Sequence, residues 1–149
     1  MEFPVTLEHV DGQVMVTCAD IPEFASVGDD EDDALREAVD GIETALMGYM
    51  ADRRKIPAAR KAKRGQRTVR LPALAIAKIG LYQAMGEKGV RKADLGMLMG
   101  LHGPQVDRLL NLSHNTKLDE VERALRLIGY RMQCQVEPDP TSPLRYWSM

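Results

Sequence analysis

The sequence predicts an α+β chain, a strand-rich βββαβ half followed by an all-α half that closes with a short strand. Three observations predict it. Apolar residues alternate with period two as far as Gly28, then recur at helical spacing from Leu35 to Tyr49. After Pro72 the period is helical throughout, broken by Gly89, Gly100 and Gly129. Charge divides along the same lines: residues 1–52 carry 14 acids and one base, residues 53–72 nine bases and no acid, and residues 73–149 ten bases and eight acids. The formal net charge of −2 is therefore a cancellation between segments suited to different partners.

The elements follow in order. Phe3, Val5 and Leu7 share one face of a first strand, and Val14, Val16 and Cys18 alternate in the same way. Asp11-Gly12 between the two runs is a hairpin signal, because glycine accepts the positive φ such turns need. A third strand fits Phe24–Val27, closed by Gly28. Asp29-Asp30-Glu31-Asp32-Asp33 opens a helix, its acids complementing the positive end of the dipole. Gly41 and Gly48 weaken that helix or mark a close approach. Residues 51–66 form a basic linker, and Thr68–Leu71 supplies a last strand before Pro72.

Beyond Pro72 one helix runs to about Glu87 and a second fits Arg91–Met99. A third runs from Pro104 to about Leu112, and Thr116 with Asp119 forms a capping box for a fourth. Tyr130–Val136 alternates like a terminal strand, with an edge that can pair with a second copy or fold back within its own chain. Three prolines after it make a loose tail, despite Trp147. The expected organisation is thus 1–71, 72–136 and a flexible 137–149.

With 44% hydrophobic and 28% charged residues the chain is globular in composition. Two cysteines make no disulfide framework, the start is no secretory signal, and no apolar run approaches the ~20 residues that cross a bilayer. A cytoplasmic setting without membrane attachment is expected.

Helices at 91–99 and 104–112 joined by a glycine-containing turn have the helix-turn-helix design, whose second helix enters the major groove. Leu95, Leu98, Leu101, Val106 and Leu109 are then expected inside, and Lys92, His102, Gln105, Arg108 and Asn111 outside. A plain helical bundle with a solvated polar face is the competing reading.

Particular residues carry a resemblance. Phe3-Pro4-Val5-Thr6-Leu7, Asp20-Ile21-Pro22-Glu23, Val27-Gly28-Asp29 leading into Asp33–Ala38, and Val69-Arg70-Leu71-Pro72 occur in an order typical of one family. Arg108–Leu112 and Asn115–Asp119 continue it, so that the match covers roughly residues 1–136. The chain resembles HicB-type antitoxins of bacterial toxin–antitoxin pairs, in the variant with a C-terminal helix-turn-helix domain of the Xre/Cro type. The resemblance implies a partial ribonuclease-H-like first domain without catalysis, which binds a small basic messenger-RNA-cleaving toxin of the HicA type. It also implies a second domain that binds and represses the operon's own promoter as a dimer or higher oligomer.

Site expectations follow. In such domains the first residues of the recognition helix read bases, here Gly103 and Pro104, which have no side-chain donor. Arg108, suited to bidentate guanine contact, remains as the main reader, with Gln105 assisting. Lys92, His102, Asn111, His114, Asn115 and Lys117 are candidates for further contacts, largely to phosphate. The net −13 of residues 1–52 suits a basic toxin surface, and Asp20, Glu23 and Asp29 are the candidate contacts.

No cofactor, metal site or catalytic residue is expected. Asp29–Asp33 is contiguous at a helix start, so its carboxylates fan out instead of converging on Mg²⁺. The three histidines are scattered, and no Cys or His spacing fits zinc. Two other functions stay open at this point: a free-standing transcriptional regulator with a ligand-sensing or dimerising first domain, and a ribonuclease.

Overall fold

A computed structural model describes residues 1–146 of the chain. Strands β1 (Glu2–Pro4), β2 (Thr6–Val10), β3 (Gln13–Thr17) and β4 (Ala25–Gly28) precede the first helix. β2, β3 and β4 form an antiparallel sheet with β3 central. The β2–β3 turn has Asp11 at φ 51° and Gly12 at φ 77°, the pair of left-handed residues that a twist-matched two-residue hairpin requires. Val14 and Val16 point inward and are buried. The opposite face, with Glu8 across from Met15 and Met15 across from Val27, is open to solvent.

One continuous first strand was expected, and the structure divides it. Glu2–Pro4 pairs antiparallel with β5 (Thr68–Arg70), whereas Thr6–Val10 pairs with β3. Between them the Val5 N–H donates to the Arg67 carbonyl at 3.0 Å. The chain changes neighbour at this point, and period-two alternation carries no record of which neighbour it has.

Helix α1 (Glu31–Ala51) lies against this sheet, burying Ala34, Ala38, Ile42, Leu46 and Tyr49. Its start is capped reciprocally: Asp30 Oδ1 accepts from the Asp33 N–H at 2.8 Å, and Asp33 Oδ2 accepts from the Asp29 N–H at 2.9 Å. Two glycines permit the close packing. A Cβ on Gly28 would lie 2.3 Å from the Ala34 backbone nitrogen, and one on Gly41 would lie 2.6 Å from the Phe24 ring. Gly48 has open space around it.

Helices α2 (Ala73–Lys88), α3 (Lys92–Met99), α4 (Gly103–Leu110) and α5 (Leu118–Leu127) complete the fold. Gly89 and Gly100 end α2 and α3 in the left-handed conformation, at φ 67° and 68°. Two apolar cores result. Phe3, Val16, Ile21, Ile42, Leu46 and Leu71 lie in the first; Leu81, Leu95, Val106, Leu109, Val121 and Leu125 lie in the second. α2 belongs to both, giving Ala75 and Ile79 to the first and Leu81, Ala84 and Met85 to the second. No helix among the described residues is long and apolar enough to cross a membrane.

Three further expectations are corrected. Leu98 is half exposed, because it and the more exposed Met97 fall outside the arc of α3 that carries Leu95 and Met99 into the core. Lys117, not Thr116, precedes α5, and no side chain caps that helix, since the Thr116 hydroxyl is engaged with Arg108 and Lys78. Residues 130–136 form no strand within the chain: the segment pairs with neither sheet, and Val136 is 91% exposed. In the tail, Glu137 pairs with Arg70 at 3.1 Å and a short 3-10 turn spans Pro143–Tyr146. Trp147 lies outside the described residues.

Candidate functional site

The basic stretch joining α1 to β5 has neither helix nor strand, as expected, yet it is more than a tether. Ile56 is buried in the first core, and the Arg54 carbonyl accepts from the Tyr82 hydroxyl of α2 at 2.7 Å. Across it lie two of the three acids expected to meet a basic partner. Asp20 has a side chain only 7% exposed. Its Oδ1 accepts from Arg60 Nε at 2.7 Å and its Oδ2 from the Arg60 backbone N–H at 3.1 Å. Glu23 accepts from the Tyr49 hydroxyl at 2.5 Å and lies 3.5 Å from Arg54, whose guanidinium sits 4.1 Å from the centre of the Tyr49 ring. The Tyr49 hydrogen bond, with Arg54 adding to it, holds the Glu23 carboxyl below the usual range. A groove of about 440 Å³ opens beside this cluster, lined by Glu23, Phe24, Gly41, Gly48, Tyr49 and Arg54 among others.

Asp29 is not part of the cluster. It is exposed at the start of α1, where its backbone N–H serves the Asp33 cap. Elsewhere Arg67 meets Glu31 at 3.3 Å, and Arg70 meets Glu2 and Glu137 at 3.6 and 3.1 Å. Four of the nine bases in residues 53–72 therefore neutralise acids of their own chain, leaving a smaller free charge on each segment than the sequence count implies.

The second group of expected residues lies on the α3–α4 unit and the loop after it. Lys92, His102, Gln105, Arg108, Asn111, His114, Asn115 and Lys117 are all exposed. Gly96 brings the two helices together, since a Cβ there would stand 3.0 Å from the Leu101 carbonyl oxygen and 3.4 Å from Val106. Not all eight side chains are equally available. Lys92 Nζ pairs with Asp107 at 3.0 Å. Gln105 Oε1 accepts from the His102 N–H at 2.8 Å, which leaves its amide nitrogen as a donor. Asn111 Oδ1 accepts from the Ser113 N–H at 2.9 Å.

Sequence reasoning missed Lys78. It is fully buried on α2, and its Nζ lies within hydrogen-bonding distance of the carbonyls of Arg108, Asn111 and His114 at 3.0, 2.7 and 2.8 Å and of Thr116 Oγ1 at 2.7 Å, four acceptors that share its three protons. Burial lowers the ammonium pKa to about 8, against the opposing pull of Glu120 and Glu43. Glu43, on α1, is 6% exposed and is raised above the usual carboxyl range by burial and by Asp40. The signal was present: Lys78 is the sole charged residue between Arg70 and Glu87. Among the described residues no group of three or more His, Cys, Asp or Glu could hold a metal ion.

Comparison with known proteins bears on both surfaces. Residues 2–80 match the family described as HicB_like antitoxin of bacterial toxin-antitoxin system. Antitoxin HicB of Pseudomonas fluorescens is 42% identical over 137 residues, covering 91% of this chain and 94% of that protein. Antitoxin HicB 2 of Photorhabdus laumondii is 35% identical over 133 residues, covering 89% and 94%. Antitoxin HicB of Escherichia coli is 30% identical over 130 residues, covering 87% and 94%. The shared length takes in the helical half as well as the sheet, and the chain belongs to the HicB-like antitoxin family of bacterial toxin–antitoxin systems.

Proposed function

We propose that the chain neutralises a cognate HicA-type, messenger-RNA-cleaving toxin by direct binding and represses its own operon through promoter DNA. The first half, a partial ribonuclease-H-like domain without catalysis, carries the toxin contact. The second half is a helix-turn-helix domain in which α4 is the recognition helix, and it acts as a dimer or higher oligomer in the cytoplasm. The observation that carries the reading is the family match over residues 2–80, which takes in the acidic residues 1–52 and the basic stretch after them, combined with relatives named antitoxin that extend through the helical half.

Electrostatics supports the division of labour. The exposed acids of α1 offer a negative surface to a basic protein, which favours encounter and register. Asp20 and Glu23, tied to Arg60 and Arg54, make toxin contacts only by exchanging those partners or through oxygens they leave open. On α4, Arg108 has the fork geometry for guanine, and Lys117, Asn115 and His114 lie beyond the helix end, where phosphate contacts fix orientation without reading sequence.

Arg108→Ala separates the two roles. Promoter binding is expected to weaken by about 1–3 kcal/mol, roughly 5- to 150-fold, with lost base preference. Toxin neutralisation should remain at the wild-type level. Unchanged promoter affinity at moderate salt would overturn the recognition-helix assignment. Specific promoter binding by a protein that neither binds nor inhibits the neighbouring toxin would favour a free-standing regulator.

A further inference from the structure

The end of α4 and the loop after it are wrapped around one buried charge. The Asn111 N–H returns to the Arg108 carbonyl at 3.3 Å, His114 to Asn111 at 3.1 Å, and Thr116 to His114 at 3.0 Å. These successive tight turns bring the carbonyls of residues 108, 111 and 114 toward a common point. Lys78 Nζ occupies it, its three protons shared among these carbonyls and the Thr116 hydroxyl. The Thr116 hydroxyl in turn donates to the Arg108 carbonyl at 3.3 Å.

Carbonyl dipoles gathered this closely repel one another unless a cation or several donors lie between them. Two of these residues, moreover, end a helix whose last carbonyls lack intrahelical partners and carry the negative end of its dipole. The ammonium satisfies both requirements without competition from water, being fully buried. Leu112, in the middle of the wrap, is buried in the first core together with Ala75 and Ile79, the neighbours of Lys78 along α2. The loop is thus held at two points, one apolar and one ionic, while His114, Asn115 and Lys117 stay exposed.

We propose that Lys78 is a positioning residue for nucleic-acid binding: it touches no phosphate, but its ammonium is the template on which residues 108–116 wrap to present His114, Asn115 and Lys117 to the duplex backbone. The proposal rests on the DNA-binding role of α4 and the following loop, and predicts something that role alone does not. A variant lacking the template should lose phosphate contacts while keeping the base preference given by Arg108.

The test uses Lys78→Met, which keeps chain length and apolar volume but has no donor, in the full-length protein with promoter DNA. Affinity is measured from about 50 to 200 mM salt, where each phosphate contact contributes roughly 0.9 to the slope of log affinity against log salt. The proposal expects a slope smaller by about one to two contacts, at least tenfold weaker binding at the lower salt, and an unchanged ratio between promoter and base-substituted sites. A purely architectural role would lower the active fraction, shifting affinity equally at every salt concentration with no change of slope; that result overturns the proposal. So does wild-type affinity in a folded variant. Should Lys78→Met fail to fold, Thr116→Val removes one acceptor from the same wrap, and an unaltered slope there is equally decisive. Arg108→Ala run in parallel identifies the other failure: if it too leaves promoter binding intact, the DNA-binding role itself is wrong.

Discussion

Cutting the tie between Asp20 and Arg60 should loosen the basic segment far more than it harms the rest of the fold. Asp20 is nearly buried and accepts two hydrogen bonds, from the Arg60 side chain at 2.7 Å and its backbone N–H at 3.1 Å. The guanidinium is 67% exposed, so screening limits its share to about 1 kcal/mol or less. The backbone N–H bonded to a carboxylate contributes about 1.5 kcal/mol. Asp20→Ala removes both, a loss of about 2 kcal/mol, which raises the detached population of the segment roughly 30-fold. Asp20→Asn keeps a neutral acceptor, loses about 1 kcal/mol, and raises that population roughly 5-fold. Trypsin reads this directly, because residues 53–64 contain Arg53, Arg54, Lys55, Arg60, Lys61, Lys63 and Arg64. When opening and closing outpace cleavage, the initial cutting rate follows the open population. Cutting within 53–64 should therefore rise in the order wild type, Asp20→Asn, Asp20→Ala. Rates within twofold of wild type in both variants would show that Asp20 does not hold the segment, and the reasoning would be wrong.

The two helix glycines of α1 should respond oppositely to alanine. Gly48→Ala meets nothing within 4 Å and gains about 1 kcal/mol from helix propensity, whereas Gly41→Ala drives a methyl to 2.6 Å from Phe24 and loses about 1–3 kcal/mol; urea unfolding midpoints decide, and a stabilised Gly41→Ala would contradict the packing described. Glu43 sets a pH dependence. Its folded pKa lies above 4.5, so the folded state holds more protons between pH 4.5 and that pKa, and stability from this group falls as pH rises through the window. Urea midpoints at pH 4, 5.5 and 7 should show wild type losing ground to Glu43→Gln as pH rises, and a gap moving the other way would refute the assignment. Arg67→Ala, whose partner Glu31 is about half exposed, should cost under 1 kcal/mol by the same unfolding measurement; a loss above 2 would mean that this pair is stronger than its exposure allows.

How much was readable in advance depended on whether an element answers to local rules. Asp11-Gly12, the acidic start of α1, and the glycines ending α2 and α3 are governed by backbone conformation within a few residues, and each appeared where the sequence placed it. The break at Val5 was invisible, because alternation specifies a face and not a neighbour. Within the chain the same reasoning failed for 130–136, where alternation is not matched by pairing with any strand. Thr116-x-x-Asp119 had the right spacing for a cap, but the hydroxyl had better partners in Lys78 and Arg108, 38 and 8 residues away. The acids Asp20 and Glu23 were legible as a surface feature, while their engagement by Arg60 and Arg54, 40 and 31 residues along the chain, was not. Lys78 lay in plain view as a lone charge in an apolar helix, and a census of isolated charges would have found it.

The proposed role of this HicB-like chain is to silence a toxic ribonuclease through its first half. It is tested most directly by purifying this protein with the product of the adjacent reading frame and measuring messenger-RNA cleavage by that product, alone and with the antitoxin in stoichiometric excess. A short basic partner should co-purify, cleave RNA when freed, and fall silent when this chain is added back, with Arg108→Ala silencing it equally well. A neighbour that forms no complex, or whose cleavage continues at saturating antitoxin, would contradict it.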